Sequence, residues 1–145
     1  MERIVNTGPV LVVDDDPGWR LLISDELKEA GYDVRLAGTL DEARQCLQQE
    51  QIALVVLDVL FGMGRVLNAA GLDFAREIRE NDNLKHIPIV FCTVVARGDL
   101  AQKLERMKGD AVVIVKPFNF HQLSSVVRDT LRKARPKTVR PGEGA

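Results

Sequence analysis

Short apolar runs alternate along this chain with segments whose apolar residues recur every three or four positions. The runs occupy residues 10–13, 53–57, 89–93 and 112–115, and a fifth segment, Tyr32, Val34 and Leu36, alternates strictly. Uninterrupted runs predict strands covered on both faces, as in a parallel sheet, and the alternating segment predicts an edge strand. Five apolar stripes between and after them predict helices: Trp19, Leu22, Ile23, Leu27 and Ala30; Leu40, Ala43 and Leu47; Leu72, Ala75 and Ile78; Leu100, Leu104 and Met107; Phe120, Leu123, Val127 and Leu131. Start signals agree with several of these. Asp16-Pro17 sets a capping carboxylate before a proline at the first helical position. Thr39-x-x-Glu42 forms a capping box, Asn119-x-x-Gln122 resembles one, and Gly31 suits the stop of the first helix. The order is strand then helix, five times over, which right-handed crossovers convert into a doubly wound α/β parallel sheet.

Composition narrows the class without changing that picture. With 145 residues, 46% apolar and 28% charged, and 20 basic against 21 acidic side chains, the chain has the make-up of an ordinary globular domain. No apolar run approaches the roughly 20 residues that span a bilayer, and the start lacks the basic-then-apolar layout of a secretory signal, so a cytoplasmic location is expected. Two cysteines, Cys46 and Cys92, make neither a disulfide framework nor a four-ligand zinc site and are expected to fill the core. One domain is predicted over residues 1–133, followed at 134–145 by a disordered Pro/Gly-rich basic tail. From Arg128 onward the chain carries six basic and two acidic residues, which leaves the body before it acidic. Such a tail attracts nucleic acid only through non-specific electrostatics, and a solvated terminus is the expectation.

In doubly wound sheets, sites form at the carboxyl ends of the strands, and here those positions hold chemistry. Asp14, Asp15 and Asp16 follow the first run, Asp58 follows the third, Thr93 ends the fourth, and Lys116-Pro117 follows the fifth. Carboxylates gathered in one crevice repel and raise one another's pKa. A hard divalent cation with oxygen ligands relieves that repulsion, and a few protein ligands with retained waters is the manner of Mg²⁺. A lysine opposite offers a point charge for an oxyanion. The set suits phosphoryl chemistry without a nucleotide-binding loop, because no G-x-x-x-x-G-K-[ST] occurs. Asp16 is read as a helix cap, and His86 and His121 as surface residues.

The segments VLVVDDDP, LVVLD ending at Asp58, IPIVFCT ending at Thr93 and VVIVKPF around Lys116 resemble the receiver (CheY-like) domain of two-component response regulators. Four motifs in order, covering about residues 8–133, carry the resemblance. It implies a flavodoxin-like sheet of strand order 2-1-3-4-5. It further implies that Asp58 accepts a phosphoryl group from a histidine kinase, with Thr93 and Lys116 contacting the phosphoryl oxygens. Mg²⁺ would be held by Asp14, Asp15, Asp58 and the backbone carbonyl of Leu60. The implied partners are a sensor histidine kinase or phosphotransfer protein, a downstream effector protein and, through the fourth and fifth predicted helices, a second copy of the chain. The protein is expected to be a single-domain regulator that catalyses only its own phosphorylation and dephosphorylation.

Three features depart from the family pattern. Val113 stands where an aromatic residue is usual three positions before the lysine, and Val94 where a small residue is usual. After Asp58 the customary glycine arrives as Gly71, about five residues late, so the loop over residues 62–70 is extended. Leu60 and Val95 occupy positions that influence hydrolysis, and neither can orient water by hydrogen bonding, which predicts a long-lived phosphorylated state. The competing readings are a phosphorylation-independent pseudo-receiver and a phosphatase of the haloacid dehalogenase type, whose D-x-D-x-[T/V] motif is broken here by Gly18.

Overall fold

Five parallel strands form one sheet in the order β2-β1-β3-β4-β5. They are β1 (Val10–Val13), β2 (Val34–Ala37), β3 (Leu54–Leu57), β4 (Ile89–Thr93) and β5 (Ala111–Val115), and the helices are α1 (Pro17–Glu29), α2 (Leu40–Gln49), α3 (Ala70–Glu80) and α4 (Phe120–Ala134). The computed structural model describes residues 8–60, 70–93, 102 and 111–134. The predicted helix with Leu100, Leu104 and Met107, the extended loop, Val94, Val95, the side chain of Phe120 and the tail lie outside the described residues.

Strand alternation divides the core into two layers. Leu11, Val13, Val55, Leu57, Ile89 and Phe91 face Ala43, Leu47, Leu72, Phe74, Ala75 and Ile78 of α2 and α3. Val10, Val12, Leu54, Val56, Val90, Cys92 and Ile114 face Ile23, Leu27, Leu123 and Val127 of α1 and α4. Both faces of β1, β3 and β4 are therefore buried, as their unbroken apolar runs predict.

Local signals act as the sequence implies. The Asp16 side chain accepts the Gly18 and Trp19 N–H groups at 2.8 and 3.2 Å, and Pro17 opens the helix. Thr39 caps α2 through the Glu42 N–H at 3.1 Å, while Glu42 reaches back to the Gly38 N–H at 2.8 Å, one residue before the usual partner in a capping box. The Asn119 side chain accepts the Gln122 N–H at 2.9 Å. Gly31, at φ 100°, ends α1 with Gly31 N–H on the Lys28 carbonyl and Tyr32 N–H on the Leu27 carbonyl, a Schellman pair that a left-handed glycine makes cheap.

Two expectations need correction. Leu22 belongs to the predicted stripe of α1 but is 48% exposed, because Ile23 and Leu27 turn into the core and the adjacent Ser24 is buried beside Ile23. The run at 112–115 predicts a doubly covered strand, yet Val112 and Val115 are exposed, because β5 is the outer strand of the sheet. Of the cysteines, Cys92 is buried as expected and Cys46 only half so.

Candidate functional site

The ladder continues one residue past β1 and β3. Asp14 N–H donates to the Ala37 carbonyl at 3.1 Å and Asp58 N–H to the Val13 carbonyl at 2.9 Å, so both carboxylates leave the sheet at its carboxyl edge. On the far side, Lys116 N–H donates to the Thr93 carbonyl at 2.6 Å and fixes the lysine directly after β5, where the Lys116–Pro117 peptide bond is cis. Parallel pairing thus brings residues far apart in the chain to one crevice.

Within it, one carboxylate oxygen from each of Asp14, Asp15 and Asp58 lies within 4.8 Å of the others. The Lys116 ammonium donates to Asp14 Oδ2 at 2.7 Å and to Asp58 Oδ2 at 3.5 Å. Asp14 Oδ1 accepts the Asp16 N–H at 2.9 Å, and Asp58 Oδ1 accepts the Leu60 N–H at 3.2 Å. Asp14, Asp58, Thr93 and Lys116 are buried and Asp15 is half-buried. The Thr93 hydroxyl, fully buried, has no hydrogen-bond partner among the described residues. Such an unpartnered hydroxyl is costly unless something else completes it.

Electrostatics follow from this crowding. Burial above all, with the Asp14 charge adding to it, pushes the Asp58 carboxyl up to about 6 against the downward pull of Lys116. For Lys116, burial pulls downward, but the hydrogen bond to Asp14 and the charges of Asp58 and Asp14 together outweigh it and raise the ammonium above its usual range. The three carboxylates together present the hard oxygen ligands that a divalent ion takes. Burial pushes the Cys92 thiol up to about 12, which keeps it protonated and removes it as a rival nucleophile.

Of the residues singled out at strand ends, Asp14, Asp15, Asp58 and Lys116 meet here, Thr93 is joined to Lys116 through its carbonyl, and Leu60 donates its N–H to Asp58. Asp16 caps α1, and His86 and His121 are exposed, away from any cluster of metal-ligating groups among the described residues. Three supporting residues escape a reading by strand ends. Arg20 Nη1 donates to the Asp14 carbonyl at 2.8 Å and lies against Gly38, where a side chain would strike the guanidinium. Gly71, at the start of α3, donates its N–H to the Val59 carbonyl at 3.0 Å, and a Cβ there would fall within 2.8 Å of Val59 Cα and collide with the Asp58 carbonyl oxygen. Trp19, read above as a core residue, lies over Lys116 with the ammonium 4.9 Å from its ring centroid. Periodicity hides Trp19, since the same helical phase serves the core and the crevice.

Residues 10–128 match the family model described as the response regulator receiver domain. The chain is 30% identical over 138 residues to the response regulator Rre1 of Synechocystis sp., covering 94% of this chain and 57% of that protein. It is 31% identical over 139 residues to the transcriptional regulatory protein GltR of Pseudomonas aeruginosa, covering 95% and 54%. The chain thus spans about half the length of these relatives. Among solved structures, the chemotaxis protein CheY4 of Vibrio cholerae superposes with a TM-score of 0.71 at 27% identity, covering 86% of this chain and 99% of that one.

Proposed function

The chain belongs to the response regulator receiver domain family, and from that premise we propose that Asp58 is its phosphoacceptor and that Asp14, Asp15, Thr93 and Lys116 serve the transfer. The observation that carries this reading is the convergence of the three carboxylates with the Lys116 ammonium at the end of the sheet where β4 closes on Thr93, whose buried hydroxyl has no partner among the described residues.

In the reaction an Asp58 carboxylate oxygen attacks phosphorus, and the bond from phosphorus to the donor's nitrogen or oxygen breaks with its electron pair going to the donor. Ionised Asp58 is the nucleophile, and its Leu60 N–H contact orients Oδ1. Lys116 moves its hydrogen bonds from Asp58 Oδ2 onto the incoming phosphoryl oxygens, and the Thr93 hydroxyl acquires the acceptor it lacks. Asp14, Asp15, Asp58 and the Leu60 carbonyl would hold Mg²⁺, which supplies positive charge against the phosphoryl oxygens in a transfer governed by positioning and electrostatics. The modified state is favoured to the extent that Lys116, Thr93 and the cation bind it better than the free carboxylate.

The donor is a sensor histidine kinase or phosphotransfer protein, and the output is contact with an effector in the cytoplasm. None of the described helices is long and apolar enough to cross a membrane. The domain itself extends over residues 1–133, and the chain turns over only its own phosphoryl group. A phosphatase of the haloacid dehalogenase type is disfavoured by Gly18, which stands where its D-x-D-x-[T/V] motif needs Thr or Val.

The test is intact mass of wild type and Asp58→Asn after incubation with acetyl phosphate, with Mg²⁺ or with EDTA. One added phosphoryl group in wild type, dependent on both Mg²⁺ and Asp58, is expected. No added mass, with a folded protein and a labelled control receiver, would make this a pseudo-receiver.

A further inference from the structure

Trp19 is the single tryptophan of the chain, and it stands on the first turn of α1 rather than on a strand end. Its backbone is held by the Asp16 cap, whose Oδ1 accepts the Trp19 N–H at 3.2 Å. Its ring is held by Phe118, two residues after the lysine, with centroids 5.5 Å apart and planes tilted by 38°. The Lys116 ammonium, with its side chain 4% exposed, is thus bounded by Asp14 Oδ2 at 2.7 Å, Asp58 Oδ2 at 3.5 Å and the indole face at 4.9 Å.

These three neighbours differ in what they ask of the ammonium. Each carboxylate takes an N–H. The indole attracts the charge through its negative face but accepts no conventional hydrogen bond, and tryptophan is the strongest of the aromatic partners. A carboxylate in its place would compete for the donor that must reach a phosphoryl oxygen, and an aliphatic side chain would leave the buried charge less well solvated. A four-carbon stem also has many rotamers, so confinement of its tip limits misplacement when Asp58 is modified.

From this we infer that Trp19 is a positioning residue for phosphoryl transfer, acting through Lys116: its ring confines the ammonium above the carboxylates without consuming a donor. The inference rests on the proposal that Asp58 is phosphorylated. It assigns a functional part to the aromatic pair Trp19 and Phe118, of which Phe118 also packs against the core layer that holds Ile23 and Leu27 of α1.

The experiment compares wild type, Trp19→Phe and Trp19→Leu in the rate of phosphorylation by acetyl phosphate across donor concentrations at saturating Mg²⁺, with thermal unfolding of each followed in parallel. Trp19→Leu is expected to lower the maximal rate by about fivefold, with little change in the half-saturating donor concentration, and Trp19→Phe to recover most of it. Rates for Trp19→Leu within twofold of wild type, or a loss equally deep in Trp19→Phe, would overturn the inference while leaving phosphorylation of Asp58 intact. A wild type that takes up no phosphoryl group would instead overturn the reading beneath it. Should Trp19→Leu fail to fold, the wild type alone decides through its single indole. Emission that changes in step with added phosphoryl mass, and stays constant in Asp58→Asn, is expected; emission indifferent to phosphorylation would contradict contact between the ring and the reacting lysine.

Discussion

Asp58 sits where burial opposes ionisation, and its carboxyl is raised to about 6 although Lys116 lies beside it. The folded chain therefore holds this proton more tightly than the unfolded chain does. Stability from this group is fully present below the ordinary carboxylate range and is lost as pH rises through about 6. In EDTA, Asp58→Asn is expected to be more stable than wild type above about pH 7, with the gap closing by about pH 4. Urea denaturation at the two pH values checks this, and equal stability of the two proteins at both would contradict it. The five principal site residues were legible in the sequence because strand ends are fixed by apolar runs, and each run here stops at a polar residue. Trp19 and Arg20 were not legible as supporting residues, because their parts depend on how α1 rotates over the crevice, and its exposed Leu22 shows that spacing alone leaves that rotation open.

At the scale of elements, the junction of β3 with α3 decides whether the site keeps its shape. The sequence separates Asp58 from its glycine by five residues more than the family pattern, yet Gly71 still meets the Val59 carbonyl, and its missing side chain makes room for the Asp58 backbone. Gly71→Ala must push α3 away or displace Asp58. It is expected to cost about 1–3 kcal/mol, as overpacked sites do, and to slow phosphorylation by about tenfold or more through misplacement of the nucleophile. Denaturation and phosphorylation rates measured on the same sample check both parts, and an unaffected rate would show that α3 alone had yielded. The caps of α1 and α2 and the glycine stop of α1 were legible because each rests on one or two neighbouring residues. The outer place of β5 was not, since its apolar run looks the same on an edge strand as on an inner one. Strand order rests on pairings between distant segments, and the order 2-1-3-4-5 came from the resemblance rather than from periodicity.

For the whole molecule, parallel pairing sets β1 beside β3 and β4 between β3 and β5, and the site follows from where that sheet ends. Three carboxylates whose oxygens lie within 4.8 Å of one another, two of them paired with Lys116, offer the oxygen ligands that a divalent cation takes. Mg²⁺ binding to the folded chain alone should therefore stabilise it, by about 2.7 kcal/mol at a hundredfold excess over its dissociation constant. Thermal unfolding with added Mg²⁺ is expected to show that gain in wild type and to lose most of it in Asp15→Asn. An equal gain in both proteins would place the ion elsewhere.

Phosphorylation of Asp58 makes an acyl phosphate, which borohydride traps in place. An aspartyl phosphate is reduced to homoserine, and peptide mass then shows where. After acetyl phosphate and Mg²⁺, homoserine at position 58 and at no other aspartate is the predicted result; homoserine at position 14 or 15, or none at all in a folded and metal-loaded protein, would contradict it.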